Sequence, residues 1–249
     1  MTTPTPTPTP IIIRTDTDTG MRTDPLVAEL TWLHLHDSAF PSGRFVHSNG
    51  LEAWLRDRPD ATDDQIRAVA RAYVAGSVAT LDAVAVGHAW STPDSEALVE
   101  LDLLVRAYKI TGSARTSSEA CGRQLVTAAR RTMPSVAGLG YLGHVAAGRT
   151  PGSLPVVEGA LQRALGIDRS RAVAGTVRSG YAGVLSAAVR LGRLGPMQAQ
   201  RALFDDVPWI TDLVRAAECT PLEDVTAFSP GLDIAAMRHE SSSARLFST

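Results

Sequence analysis

Apolar residues recur at spacings of three and four along most of this chain, and this period limits the possible folds more than any other feature of the sequence. The first clear series is Leu26, Leu30 and Leu33, which falls on one face of a helix. Asp24 and Pro25 stand immediately before it, and these residue types favour the N-cap and the first turn of a helix. The spacing and the cap together predict that helical structure begins at residue 24.

A second helix start is indicated at Thr62, because Gln65 follows three residues later in the pattern of a capping box. An apolar stripe at helical spacing continues from there to Leu81. Another helix is expected after Pro93, with Asp102 among its polar residues. Further helices are predicted over 113–131, 134–147, 155–166, 170–192 and 196–217.

Other features of the sequence refine this helical interpretation. Pro208 lies inside the last predicted helix and is expected to kink or split it, because proline lacks an amide donor. Alanine and glycine are frequent between residues 172 and 188, which lets helices pack closely. The only strand-like run, Val156-Val157, is short, and no hairpin signal is present. We therefore predict an all-α fold, a compact multi-helix bundle of about ten helices.

The composition divides the chain into three parts. Residues 1–23 begin with a Thr-Pro repeat, which favours extended polyproline geometry, and are predicted to be a disordered tail. Residues 24–228 are expected to form the all-α domain. Residues 229–249 combine apolar residues with arginine, as a segment that folds onto a partner does, and we predict a partner-docking C-terminal tail. A competing interpretation is an ordinary fraying chain end.

Charge and cysteine content exclude several classes of function. A formal net charge of −2 argues against sequence-independent binding of nucleic acid, which needs an excess of basic residues. The two cysteines, Cys121 and Cys219, have no metal-ligand spacing and suit a reducing cytoplasm in the absence of a secretory signal. No apolar run approaches the roughly 20 residues of a membrane span. A cytoplasmic protein with no membrane contact is expected.

No motif for enzyme chemistry is visible. Lys109, the only lysine, does not follow the glycine loop of a GxxxxGK[ST] phosphate site, and no GxSxG motif is present. His34 and His36 would point to different faces of a helix and make a poor metal pair. We predict that the protein is not an enzyme and that it has no catalytic residue, bound metal or cofactor.

The segment from Ser38 to Glu52 is a Pro/Gly turn that also carries two aromatic residues and a histidine. In one interpretation it is an inter-helix turn whose Phe40 and Phe45 fill the core, because aromatic residues beside a turn usually anchor it. In a second interpretation it is an exposed loop that contacts a partner. Chemistry alone favours the first.

Several stretches of the chain carry motifs in a fixed order. The first consists of Leu33, Leu35, Asp37-Ser38, Phe40-Pro41, Gly43, Phe45, Ser48 and Gly50-Leu51-Glu52. The second is the run from Ser186 to Gly195 followed by Gln198 and Gln200. The last is Asp233-Ile234-Ala235, His239-Glu240 and Arg245-Leu246-Phe247-Ser248. They resemble the motifs LxxLxSxAxPxGGFxxSxGLE, AAVRLxxLGxxxxQ and DIAxxxHExxxxRLFxS of the urease accessory protein F (UreF) family. Residues 115–125 are similar to a fourth motif of that family, more loosely.

This resemblance implies a non-enzymatic, all-α and dimeric member of the nickel-insertion machinery. Such a protein would bridge the urease-bound accessory protein D (also called H) and the GTPase G, and regulate GTP-dependent nickel insertion into apo-urease. The tail would dock on the D-type partner, and Arg245 together with the turn would help to receive the GTPase, without a nickel ligand in this chain. The partner-binding residues implied are Phe45, His47, Ser48, Glu52, Arg190, Gln198, His239, Glu240, Arg245, Leu246 and Phe247.

One departure from the family pattern is Arg44, which stands where the family usually has a second glycine. It leads to the hypothesis that Arg44 is inserted into the GTPase and stimulates hydrolysis directly. Two further hypotheses stay open. The chain could be a metal chaperone in its own right, or an all-α regulatory or ligand-binding module unrelated to urease, with a buried apolar pocket.

Overall fold

The structure is a computed structural model that describes residues 24–133 and 140–240, except for the side chains of Phe45, His239 and Glu240. The predicted disordered tail, 1–23, lies outside the described residues. So do residues 241–249 of the predicted docking tail, with Arg245, Leu246 and Phe247 among them.

Helices account for nearly all the regular structure. They are α1 (Pro25–Leu35), α2 (Leu51–Arg56), α3 (Asp63–Tyr73), α4 (Ala83–Ser91), α5 (Ser95–Tyr108), α6 (Gly112–Thr132), α7 (Gly140–Ala146), α8 (Leu154–Ala164), α9 (Arg169–Arg190), α10 (Pro196–Asp205), α11 (Val207–Cys219) and α12 (Pro230–Glu240). A π-helical segment, Val74–Asp82, joins α3 to α4, and short 3₁₀ turns lie at Arg44–Val46 and Leu222–Asp224. Residues 24–133 and 140–240 contain no strand, so the predicted all-α fold is confirmed.

Local capping fixes several of these helix starts as predicted. The Asp24 carboxylate accepts from the Leu26 amide at 2.8 Å. Thr62 and Gln65 form the predicted capping box: the Thr62 amide donates to Gln65 Oε1 at 2.9 Å, and the Gln65 amide donates to Thr62 Oγ1 at 3.3 Å. Each bond satisfies an amide that has no partner inside its own helix. The predicted split at Pro208 is also confirmed, because α10 ends at Asp205 and α11 begins at Val207.

The helix formed by α3, the π-helical segment and α4 is the centre of the core. Its α4 part packs against α8 and α9. By length and hydropathy this 29-residue helix could cross a membrane, contrary to the expectation that no apolar run is long enough. However, 50% of its most apolar window is buried inside the protein. A core helix of a bundle has the same character, so its length alone does not indicate a membrane span.

The apolar face predicted for α1 is present, but it does not face the core. Leu26, Leu30 and Leu33 are exposed, and α1 buries Ala28 and Leu35 instead. Its contact with α9 is partly polar, because the Trp32 indole donates to the Arg171 carbonyl at 2.9 Å. Helical spacing therefore predicted α1 correctly, but it did not predict which face of α1 packs against the rest of the protein.

Asp102 shows the opposite difference from the sequence expectation, since it is a charged residue that is buried. It was expected among the polar residues of α5, yet it is fully buried. Its Oδ2 accepts from Thr150 Oγ1 and from the Gly152 amide, each at 2.7 Å, and its Oδ1 accepts from the Ser153 amide at 2.8 Å. The carboxylate therefore holds the loop that leads into α8.

Replacing Asp102 with asparagine should lower the free energy of unfolding by about 1–3 kcal/mol, because one of its two acceptor atoms becomes a donor facing another donor. Urea denaturation followed by circular dichroism would measure this change. Asp94→Asn is the matched control, since Asp94 is an exposed N-cap and asparagine caps a helix as well as aspartate does. Equal losses in the two variants would contradict the assigned role of Asp102.

Candidate functional site

The turn between α1 and α2 is anchored in the core. Phe40 is buried and lies edge-on to the His34 ring, with 5.2 Å between centroids. The Asp37 carboxylate accepts from the Ala39 amide at 2.7 Å and so closes the start of the turn. Phe40 thus follows the first interpretation of this segment, in which an aromatic residue fixes the turn.

The turn meets the C-terminal helix at Gly50. This residue has a φ of 84°, which glycine tolerates best, and a Cβ atom here would overlap the Leu232 carbonyl oxygen. Ala236 lies against the same point, and α12 packs on α2. Two of the motif segments, far apart in sequence, therefore lie side by side.

Arg44 points into the protein rather than toward solvent. Its guanidinium forms an ion pair with Glu158 of α8, and the two side chains are 14% and 2% exposed. Burial lowers the pKa of Arg44 to about 10, so the group stays charged at neutral pH. Glu158 also accepts from Thr176 Oγ1 at 2.9 Å. In this conformation Arg44 is not presented for insertion into a GTPase, and that role stays a prediction.

This ion pair lines a cavity of about 110 Å³ between the turn, the π-helical segment and helices α6, α8 and α9. The lining also holds a second pair, in which Lys109 Nζ lies 2.7 Å from Asp82 Oδ1. Cys121 also lines the cavity, and burial raises the pKa of its thiol to about 11, although the nearby cations act in the opposite direction. The lining thus combines two ion pairs with apolar residues such as Val78 and Leu154, and it is not the purely apolar pocket expected of an unrelated ligand-binding module.

The histidine His36 is held within the fold. Its Nδ1 lies 3.0 Å from Ser179 Oγ and its Nε2 lies 3.4 Å from Gln162 Oε1. Burial, assisted by nearby Arg44, lowers the pKa of His36 to about 3, so the ring is neutral at physiological pH. In the described part of the chain, no group of three or more His, Cys, Asp or Glu residues could hold a metal ion.

The predicted partner-binding residues do not form one exposed patch. His47 is 9% exposed and Ser48 is fully buried, while Glu52 is half-buried. Burial also lowers the pKa of His47. Arg190 and Gln198 are exposed, at the end of α9 and in the first turn of α10. The binding roles of all five residues stay predictions, and His47 and Ser48 could reach a partner only after a rearrangement.

The backbone of His239 and Glu240 forms the last two residues of α12. Just before them, Ile234 and Met237 are 51% and 45% exposed. Residues three apart share a helix face, so these two form one apolar surface. We call this pair the α12 surface.

Sequence reasoning missed Glu158, Asp82 and the position of Lys109. Glu158 follows two valines in an apolar run, and an isolated carboxylate in such a run is a signal of a buried pair. Its partner could not be identified, because Arg44 lies far from it along the chain. Lys109 was noted only as the single lysine.

Comparison with known proteins gives a consistent result. The UreF family profile matches residues 61–205. The urease accessory protein UreF of Kocuria rhizophila is 31% identical over 230 residues, which cover 90% of this chain and 98% of that protein. The UreF proteins of Arthrobacter sp. (strain FB24) and Bacillus sp. (strain TB-90) are 29% and 27% identical, and each alignment covers 88% of this chain and 96% or 97% of the relative.

Proposed function

The chain belongs to the UreF family of urease accessory proteins, which gives it a role in urease maturation, and from this premise we propose that it bridges two further accessory proteins. One is the urease-bound protein D (or H) and the second is the GTPase G. The proposed role is to regulate GTP-dependent nickel insertion into apo-urease. The chain would act in the cytoplasm, as a homodimer, and as an accessory protein without a catalytic site of its own.

One observation carries this proposal: the turn motif and the C-terminal motif pack together at Gly50 and α12. The α12 surface lies beside this junction and leaves two apolar side chains in solvent. Apolar anchors surrounded by polar residues are typical of protein–protein interfaces. The residues that follow, Arg245, Leu246 and Phe247, would extend the same interface to the D-type partner.

Because Arg44 is buried and paired, its position favours bridging of the two accessory proteins over direct stimulation of GTP hydrolysis by Arg44. To act as an inserted arginine it would have to leave Glu158 unpaired in the cavity. Breaking a buried pair in this way costs about 3–5 kcal/mol. The proposed regulation of the GTPase therefore works through holding the partners together, not through Arg44 itself.

The test is co-purification of the tagged chain with the D-type protein and the GTPase. The double variant Ile234→Arg with Met237→Arg should lower recovery of the D-type partner at least about tenfold, because hot-spot losses exceed 2 kcal/mol. Met197→Arg is the matched control, since Met197 is more exposed but lies on α10, and it should leave recovery unchanged. Full recovery with the double variant would contradict a docking role of α12.

A further inference from the structure

A short segment between α11 and α12 runs alongside the central helix, in the opposite direction. We call residues Val225–Ser229 the strap. The Phe228 amide donates to the Gly76 carbonyl at 2.7 Å, and the Thr226 amide donates to the Thr80 carbonyl at 3.3 Å. Both acceptors lie in the π-helical segment, so the strap is bonded to the backbone of this unusual part of the helix.

Side chains add to the same contact. Thr80 Oγ1 donates to the Thr226 carbonyl at 2.8 Å and also lies 2.9 Å from the Gly76 carbonyl. Ser77 Oγ and Ser229 Oγ are 2.7 Å apart. Ser229 Oγ also donates to the Tyr73 carbonyl at 3.4 Å. Apart from the Thr80–Gly76 contact, which lies within the helix, these bonds tie the strap to residues 73–80.

A π-helix is rare and is usually limited to a single turn in an α-helix. Here it runs from Val74 to Asp82. At its end the Ala83 amide bonds to the Val78 carbonyl, five residues back instead of four. The strap lies directly against Gly76, and a Cβ atom there would overlap the Phe228 carbonyl oxygen.

The π-helical segment ends at Asp82, the residue that pairs with Lys109 in the cavity lining. A change from i+5 to i+4 bonding would rotate the end of the segment relative to α3. The direction of the Asp82 carboxylate therefore depends on whether the segment keeps its i+5 hydrogen bonds, to which the strap is attached. Lys109 itself is 12% exposed while this pair is formed.

We propose that the strap and the π-helical segment form a conformational switch for the cavity. With the strap seated, the helix keeps its π register and Asp82 pairs with Lys109. When the strap is released, the segment changes to α-helical bonding, Asp82 turns away, and the cavity wall beside Lys109 opens. This inference does not depend on the proposed bridging of accessory proteins, because it concerns the isolated chain.

Because Lys109 is the only lysine, acylation of its amine reports directly on the switch. The full-length chain would be treated with an amine-reactive ester, and the labelling rate of the Lys109 peptide followed by mass spectrometry. Gly76→Ala should raise this rate at least roughly tenfold, because it displaces the strap and favours local opening. Gly183→Ala is the matched control: Gly183 is also a helical glycine, it lines the cavity, and its Cβ would meet no atom within 4 Å.

A second variant keeps the test decisive if Gly76→Ala does not fold, as judged by circular dichroism. Thr80→Val with Ser229→Ala removes the side-chain bonds to the strap without steric overlap, and it should also accelerate labelling of Lys109. Labelling of the folded variants at the rate of Gly183→Ala would overturn the proposal.

Discussion

Replacing Glu158 with alanine is expected to lower the free energy of unfolding by about 3–5 kcal/mol, the usual effect of removing one partner of a buried ion pair. The Arg44 guanidinium would keep its charge but lose its counter-ion, at a position that is only 14% exposed. The effect is large because no other carboxylate is paired with Arg44 in the described part of the chain. Urea denaturation would measure it.

The double variant Arg44→Met with Glu158→Leu separates the charge from the packing. A buried ion pair replaced by apolar residues of similar volume is often neutral or stabilising, so this protein should be close to the parent in stability. Thr176 would still donate to the Ala172 carbonyl at 3.3 Å. If the double variant lost as much stability as Glu158→Ala, the loss would come from packing, and the assigned role of the ion pair would be wrong.

The same double variant tests the hypothesis that Arg44 is inserted into the GTPase. Stimulation of GTP hydrolysis that survives the loss of Arg44 would remove this hypothesis. We expect it to survive, because the Arg44 side chain faces the interior.

Replacing Asp206 with alanine should lower the free energy of unfolding by about 3 kcal/mol, since several charge-assisted hydrogen bonds are lost together. Asp206 is buried between α10 and α11, and it accepts from Arg67 Nε at 3.0 Å, Arg71 Nη1 at 2.5 Å and Tyr181 Oη at 2.6 Å. These bonds join α3, α9 and the junction of α10 with α11.

Asp205→Ala is the matched control, because Asp205 is the adjacent residue and its carboxylate is exposed. It should change the free energy of unfolding by less than about 0.5 kcal/mol, as surface substitutions usually do. Thermal unfolding of the two variants side by side would measure the difference. Similar losses would show that Asp206 does not hold α3, α9 and the junction of α10 with α11 together.

The contribution of Asp206 should also depend on pH. Burial opposes ionisation, but the hydrogen bonds from Arg67 and Tyr181 outweigh it and lower the pKa of Asp206. A lowered pKa in the folded state stabilises the protein above the unfolded pKa of about 3.9, and this stabilisation is lost as the pH falls toward the folded value. The difference between the parent and Asp206→Ala should be constant near neutral pH and shrink in acid.

The sequence was sufficient for the features that depend on neighbouring residues. Helical spacing, the Thr62–Gln65 capping box and the break at Pro208 involve groups within a few positions of one another, and each is found in the structure. The all-α fold and the UreF family followed from these local patterns and motifs. Such features need no knowledge of tertiary contacts.

Contacts between distant residues could not be predicted. The ion pair of Arg44 with Glu158 and the packing of Gly50 on α12 join positions more than 100 residues apart. The burial of Ser48 and the exposure of Leu30 likewise depend on which neighbour covers each face. The spacing of apolar residues predicts which residues share a helix face, but not which element packs against that face. The cavity between these elements was therefore not predicted.

A role in urease maturation is tested most directly by urease activity and nickel content in cells that carry the full urease operon, with and without the gene for this chain. Deletion should leave urease assembled but poor in nickel and inactive, and the intact gene should restore both. A copy truncated before Ser229 should fail to restore them. Fully active, nickel-loaded urease in the deletion strain, with no second copy of the gene present, would contradict a role of this chain in urease maturation.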